Sequence, residues 1–522
     1  MASLVFLYNK KYNKTYVYES INYWDKSEKK SKSKRKLIGI KDPVTGEILP
    51  TSTRKKKMEE DRIKQEKLQS EKRKFYGATF LLNQIASKLG VTSSLRQCFP
   101  DSYKEILSVA QYLLLERDSP ISRFEKWNRI HRTAAKEGLT SQRISEMFSE
   151  IEEHNKNMFF RLMSENLKED EHLAYDTTSI SSYSKMINQM KYGYNKENDT
   201  LAQINLAILY GEKSALPFYY RVLPGNIVDV STVKRLIEDI RYLKIRKPKL
   251  VMDRGFFSRD NIDRLIEKRF KFIVGTKSTK LIKERVEKVK DIKKFTNYLP
   301  EYNVYGKKEL IVWDESDKEN RKYLYLYVFF NEEKAVKEYK EFTNYLVRLR
   351  TDIENNVENE SRQEDYRKYF DIEVEKGNIV AIPKEEEIEK HTKNYGYFSL
   401  ISNENLEVSE VLNIYRQKDV AEKAFHNIKD RLDTRRVRVS SKPTLDGKIF
   451  VTFVSLILLS YIKNQMKRQE LYKKYTTQEL LDELDIIESY EREGEKLRLG
   501  EITKKQREIF EKLEIRIPEE LL

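Results

Sequence analysis

The chain has 522 residues and carries 100 Lys and Arg against 84 Asp and Glu, a formal net charge of +16. Apolar residues at 39% and aromatics at 11% are too many for a disordered chain, and the length fits about three domains of ordinary size. A single cysteine, Cys98, excludes internal disulfides and multi-cysteine zinc or iron–sulfur sites, and the histidines (His131, His154, His172, His391, His426) lack metal-ligand spacing.

The start, MASLVFLYNKKYNK, has too short an apolar run for a secretory signal. YNKTYVYESINYW alternates as hairpin material does, a charged break SEKKSKSKRK follows, and LIGIKDPVTGEILP carries the turn signal DPVTGE. Residues 54–75 read as a highly charged helical connector, completing a basic N-terminal module over 1–75. From 76 to 165 the period is helical: ATFLLNQIASKLG ends at a Gly stop, and EILSVAQYLLLE and SQRISEMFSEIEEH repeat the theme. A small helical domain of this kind suits a duplex-DNA reader, and a dimerisation bundle has the same pattern.

Strands follow: HLAYDTTSIS, LAQINLAILY and SALPFYYRVL, then a helix (STVKRLIEDIRYLK), a strand (PKLVMD), a helix (RDNIDRLIEKR) and a strand (FKFIVGTK). Three successive strands and then α-β-α-β predict a mixed sheet with helices on its faces. Residues 281–394 are charged and irregular, with strand-like KELIVWD and KYLYLYVFF. YGYFSLIS reads as a further strand, and a helical tract runs from about 408 to 432. Residues 449–462 contain no charge, but a spanning helix needs about 20 residues, so a buried core helix is expected there. A charged helical tail runs to 522.

The charge is uneven. Residues 1–80 have 21 basic and 10 acidic side chains, and 415–470 have 13 and 6, whereas 351–390 have 6 and 13. Two separate basic regions suit a polyanion, most commonly nucleic acid, although a Lys-rich solvated surface gives the same totals.

Two acids are expected at strand ends. Asp176 lies in LAYDTTSIS, where a charge needs a partner, and Asp253 closes the apolar run KLVMD before Arg254-Gly255-Phe256. Strand carboxyl ends gather ligands in open α/β sheets, while an Asp there also serves simply as a helix cap. A third acid lies on a testable helix. At about 100° per residue, Tyr415, Lys418, Glu422, His426 and Lys429 fall within about 80° of one another. Val420, Ala421, Ala424, Phe425, Ile428 and Leu432 cover the opposite arc. A solvated face with Lys–Glu pairs explains Lys418 and Glu422, but does not require Tyr415 or Lys429 in line with them.

Taken in order, YDTTSISSYS, DRGFFS and YRQKDVAEKAFHNIK resemble the Asp-Asp-Glu (DDE) insertion-sequence transposases, in particular the IS-four-like group with its helix motif Tyr-x2-Arg-x3-Glu-x6-Lys. Tyr415, Glu422 and Lys429 stand at those positions; GYNKENDTLAQINLAILYGEKSALPFYYRVLPGNIVDVST between the two Asp, and LDTRRVRV before an apolar helix, also look like segments of the family. Lys418 replaces the motif's Arg; it keeps the attraction to phosphate and loses the planar two-pronged hydrogen bond. Arg416 points about 200° round an ideal helix and is a poor substitute.

The resemblance implies an α/β, ribonuclease H-like (retroviral integrase-like) core with a mixed sheet. Its parts would be 166–280 and 395–470, interrupted by an inserted domain at 281–394. An N-terminal β/helical DNA-binding region would precede it, and a helical tail at 471–522 would follow. Asp176, Asp253 and Glu422 would be the catalytic metal ligands. Two Mg2+ ions, or Mn2+ in substitution, suit such a set because hard cations prefer oxygen. Tyr415, Lys418, Lys429, Arg254, Arg435 and Arg436 would contact DNA. The expected reaction is hydrolysis at the element's terminal inverted repeats and attack of the freed 3′-hydroxyls on target DNA. Expected partners are double-stranded DNA and a second copy of the chain, with no membrane, in the cytoplasm of a bacterium and on its nucleoid. A catalytically silent DNA-binding descendant and a nuclease without strand transfer are the alternatives. The acidic stretch within 351–390 would face away from DNA or pack on a partner subunit, and the tail would be a dimer element or a solvated helix.

Overall fold

Period-two alternation in the first fifty residues produces paired strands. The computed structural model describes every residue except 1, 27, 52–71, 117–118, 169, 182–189, 193–200, 228, 278–283, 288, 290, 315–321, 358, 376–377, 419–440, 492–496 and 518–522. Strands β1 (Ala2–Asn9), β2 (Lys14–Asp25), β3 (Lys30–Lys41) and β4 (Ile48–Leu49) form an antiparallel sheet in that order. The run expected as a charged break is therefore mostly strand: β2 and β3 pair from Thr15 with Lys41 to Asp25 with Lys30, around a bulge beside Val17 and Tyr18. Lys30, Lys32, Lys34 and Lys36 alternate with Ser31, Ser33 and Arg35, so the period is a strand's although no apolar residue marks it.

Strand β5 (Lys72–Phe75) pairs with Glu488–Glu491, which pairs in turn with Arg498–Leu499. Two expectations change here. The connector expected to be helical over 54–75 ends as a strand, its remainder lying outside the described residues, and the tail expected to be helical contributes two strands. These elements belong to the first of two compact units, Met1–Phe75 with Ile487–Ile502 and Pro518–Leu522; the second comprises Tyr76–Ile486 and Thr503–Ile517.

The second unit opens with helices α1 (Gly77–Lys88), α2 (Val91–Cys98), α3 (Tyr103–Leu115), α4 (Phe124–Ile130), α5 (Ser141–Glu150) and α6 (Glu153–Ser164). Then come β6 (His172–Ser181), β7 (Gln203–Gly211), β8 (Pro217–Pro224), α7 (Val233–Tyr242), β9 (Lys249–Met252), α8 (Arg259–Glu267) and β10 (Lys271–Gly275). The first three strands form an antiparallel meander, and β9 and β10 add in parallel beside β6. Strand β7 is buried along its whole length, as a central strand covered on both faces must be.

The stretch expected as an inserted domain divides in two. Strands β11 (Tyr298–Leu299), β12 (Val304–Asp314) and β13 (Lys322–Phe330) extend the main sheet, because their alternation is apolar enough to continue its core. Helix α9 (Glu332–Glu354), α10 (Gln363–Tyr369), the hairpin β14 (Phe370–Glu375) and β15 (Asn378–Pro383), and α11 (Glu385–Thr392) enclose a separate small core around Phe342, Leu349, Tyr366 and Tyr369. Strand β16 (Tyr397–Ser402) then enters between β13 and β10, giving nine strands in the order β11-β12-β13-β16-β10-β9-β6-β7-β8.

Helix α12 (Val408–Gln417) lays Val411, Leu412 and Ile414 on Val251, Ile273, Tyr327 and Leu400 of the sheet. Helix α13 (Lys442–Arg468) is long and apolar enough to cross a membrane by length and composition, yet it is almost entirely buried inside the fold. Its Phe450 packs on Phe99, Phe159 and Phe160, and its Phe453 on Phe160 and Tyr220, so it joins the helices to the sheet edge. Helices α14 (Thr477–Asp485) and α15 (Lys504–Lys512) return to the first helices: Asp485 Oδ2 lies 2.9 Å from His131 Nε2, and Phe510 meets Phe80 edge to face.

Candidate active site

Strand register brings the first two expected acids together. Tyr175 of β6 is paired with Met252 of β9 in a parallel ladder. The residues that follow, Asp176 and Asp253, therefore stand side by side, and side-chain alternation puts them on one face. Asp253 keeps an extended backbone (φ −75°, ψ 166°), so the alternation carries through it. Strand β10 adds Gly275 next to Asp253, since Val274 pairs with Met252.

One carboxylate oxygen of Asp253 is held from two sides. Its Oδ1 accepts from the Arg254 amide at 2.8 Å and from the Tyr415 hydroxyl at 2.9 Å, and it lies 4.0 Å from Lys418 Nζ. Partial burial works against the charge, but the Lys418 ammonium, the two hydrogen bonds and the Arg254 charge outweigh it. The carboxyl is held below the ordinary Asp value. Asp176 is half-buried and accepts from the Thr177 amide at 2.7 Å. Another nearby acid, Asp229, takes the hydroxyl of Thr177 and so belongs to the opposite face.

Gly275 is a site residue that sequence reasoning missed. A Cβ there would lie 2.7 Å from the Tyr415 hydroxyl and 2.9 Å from the Arg254 amide nitrogen. The bare backbone at the end of β10 is what lets Tyr415 reach Asp253. A glycine inside FKFIVGTK was the available signal, because strand glycines often mark a close approach.

Tyr415 stands in the last turn of α12 and Lys418 directly after it, with the ammonium 5.2 Å from the Tyr415 ring centre. Arg416 points elsewhere, as the helical angle requires: its guanidinium sits 4.9 Å over the ring of Tyr302 and reaches the Tyr302 carbonyl. Arg254 contributes its amide to Asp253, while its side chain is exposed. Glu422, His426, Lys429, Arg435 and Arg436 lie outside the described residues.

Two adjacent carboxylates supply the hard oxygen donors that Mg2+ or Mn2+ prefers. Among the described residues no group of three His, Cys, Asp or Glu gathers for a metal. The pair fits part of such a site, and the expected third ligand is outside the described residues.

No curated protein matches the chain. Among solved structures, a piggyBac transposase synaptic complex with hairpin DNA is similar at a TM-score of 0.36 and 10% identity, over 77% of this chain and 70% of that one. A Mos1 mariner paired end complex with Mn is similar at a TM-score of 0.15 and 15% identity, over 31% of this chain and 56% of that one. The transposase DDE domain family matches residues 167–458, more than half of the sequence and spanning both aspartates, Tyr415 and Lys418. On that match the chain belongs to the DDE-domain transposases.

Proposed function

We propose that this transposase hydrolyses phosphodiesters at the terminal inverted repeats of an insertion sequence and joins the freed 3′-hydroxyls to target DNA. Asp176, Asp253 and Glu422 would act as the catalytic carboxylates. The observation that carries the reading is the parallel pairing of β6 with β9 up to Tyr175 and Met252, the residues directly before Asp176 and Asp253. The order β8-β7-β6-β9-β10, an antiparallel meander followed by two parallel strands within 172–275, supports a ribonuclease H-like core.

These acids would hold a pair of Mg2+ ions, which when bound supply an activated oxygen nucleophile and neutralise charge on the attacked phosphate. The chain's own side chains prepare that place. Asp253 is kept ionised by Lys418 and Tyr415, and Asp176 shares its face. Lys418, next to the paired acids, would attract the phosphate to be cut, and Tyr415 would flank it. Arg254, Lys429, Arg435 and Arg436 would extend the contact along DNA. The helical segment 76–165 would read the ends, and a homodimer would bring two ends together.

The test is incubation of the full chain with labelled element ends, target DNA and Mg2+. Joined products support the reading; cuts without joining indicate a nuclease, and binding without cuts a silent descendant. Asp176→Asn and Asp253→Asn should each remove cleavage and leave end binding nearly intact. A variant of either acid that cuts as fast as the parent defeats the assignment.

A further inference from the structure

We propose that the lysine-bearing face of β2 and β3 is a surface that grips duplex DNA. The inference rests on the reading of the chain as a DNA transposase and adds to it the place of contact.

Strand β1 pairs with β2 only between Lys14 and Ile21, and β4 with β3 only at Ile40 and Lys41. Beyond Ile21, among the described residues, β2 and β3 pair with no further strand. Asn22–Asp25 with Lys30–Ser33 thus form a two-stranded ribbon, mostly exposed, with Tyr23 at 49% and Trp24 at 64%. A duplex major groove, about 12 Å wide, admits a ribbon of this kind.

The register sorts the charges. Lys30, Lys32, Lys34 and Lys36 pair with Asp25, Tyr23, Ile21 and Glu19 and share one face with them. The other face carries Ser31, Ser33 and Arg35 with Trp24, Asn22 and Ser20. Lys32 is tied to Asp25 at 2.7 Å and to Glu28 at 2.9 Å, which braces the tip. Lys30, Lys34 and Lys36 make no ion pair among the described residues. Lys41, whose ammonium lies 5.5 Å from the Phe6 ring centre, continues the basic face toward β1.

Alternate residues of a strand are about 6.5–7 Å apart, and a duplex strand advances about 3.4 Å along the axis per phosphate. The lysine row therefore presents a positive charge about every 6.5–7 Å, close enough for successive ammonium groups to meet a densely charged backbone. Edge strands also use Lys to prevent sheet-to-sheet pairing. That role does not require the lysines to be confined to one face, whereas a grip on a rod-like polyanion does.

The experiment uses the full chain, the duplexes flanking its reading frame and a random duplex of equal length. Replacing Lys30, Lys34 and Lys36 together by Ala should weaken binding of both duplexes and flatten the plot of log affinity against log salt by about 2–3 units. Arg35→Ala, on the opposite face, should change either quantity little. In the unaltered protein, DNA should protect Lys30, Lys34 and Lys36 from acetylation, a readout that does not depend on a variant folding. Unchanged affinity, slope and acetylation, with end binding intact, overturn this surface and leave the transposase reading standing. A parent chain that binds no duplex overturns both, and binding to anionic vesicles in place of DNA overturns the surface as a DNA contact.

Discussion

A methyl group at position 275 would press on the Tyr415 hydroxyl at 2.7 Å and on the Arg254 backbone at 2.9 Å. The hydroxyl ends a side chain that can turn aside, whereas relieving the contact with the Arg254 nitrogen requires the backbone itself to shift. Gly275→Ala should then cost the Tyr415–Asp253 hydrogen bond, about 1.5–3 kcal/mol for a bond to a charged group. Cleavage should slow by roughly ten- to a hundredfold, as it should for Tyr415→Phe, and the double variant should be no slower than the worse single one. Additive losses in the double variant, measured under single-turnover conditions, would show that the glycine and the hydroxyl act separately. Asp176 and Asp253 were legible in the sequence because a carboxylate is costly in a strand unless something uses it. Gly275 was not, since the atom it lacks matters only once α12 lies across β10.

Helix α13 shows the same economy of space along a whole element. A Cβ at Gly447 would lie 2.0 Å from the Phe148 carbonyl oxygen at the end of α5. Glycine inside a helix normally costs about 1 kcal/mol relative to alanine, so its presence here reflects the close crossing. Gly447→Ala should destabilise the second unit by about 1–3 kcal/mol despite the better helix former, because backbone must move. A chemical denaturation midpoint at or above the parent's would refute the crossing. The strand starts of the sheet supply another element-scale test. His172 opens β6 with Glu212 and Glu404 each 3.7 Å away, and Lys249 lies 3.4 Å from Glu404. Burial lowers the imidazole's affinity for a proton, but the two carboxylates outweigh burial and Lys249, and the value is raised. Protonated His172 therefore stabilises the fold fully below its unfolded value of about 6.5, and that contribution is lost as pH climbs through the raised folded value. Unfolding free energy should fall with rising pH across that window, and His172→Gln should flatten the fall; identical profiles would exclude the network as its source. The core helix was readable from its uncharged run and the sheet from its apolar strands. Strand β3 was hidden because its Lys–Ser alternation has the strand period without any apolar member, and reading by hydrophobicity passes over it.

On the scale of the whole chain, the first unit is assembled from both ends of the sequence: β5 is paired with Glu488–Glu491, with Tyr490 facing the Arg73 guanidinium at 5.0 Å. The change of pattern near residue 76 was legible, whereas the return of 487–502 was not, because pairing between strands about four hundred residues apart leaves no local signature. This fixes how the N-terminal region can be tested. Removing residues 1–75 deletes β5 and bares the edge of Glu488–Glu491, which invites pairing with other chains. Removing residues 1–51 takes away the sheet β1–β4 and spares β5. The shorter deletion should leave the thermal unfolding of the second unit in place and lower affinity for DNA ends; the longer one should also aggregate. Calorimetry with gel-shift titration separates the contributions. If the shorter deletion bound element ends as tightly as the full chain, recognition would have to lie in the second unit, and the helices of 76–165 would be the next place to look.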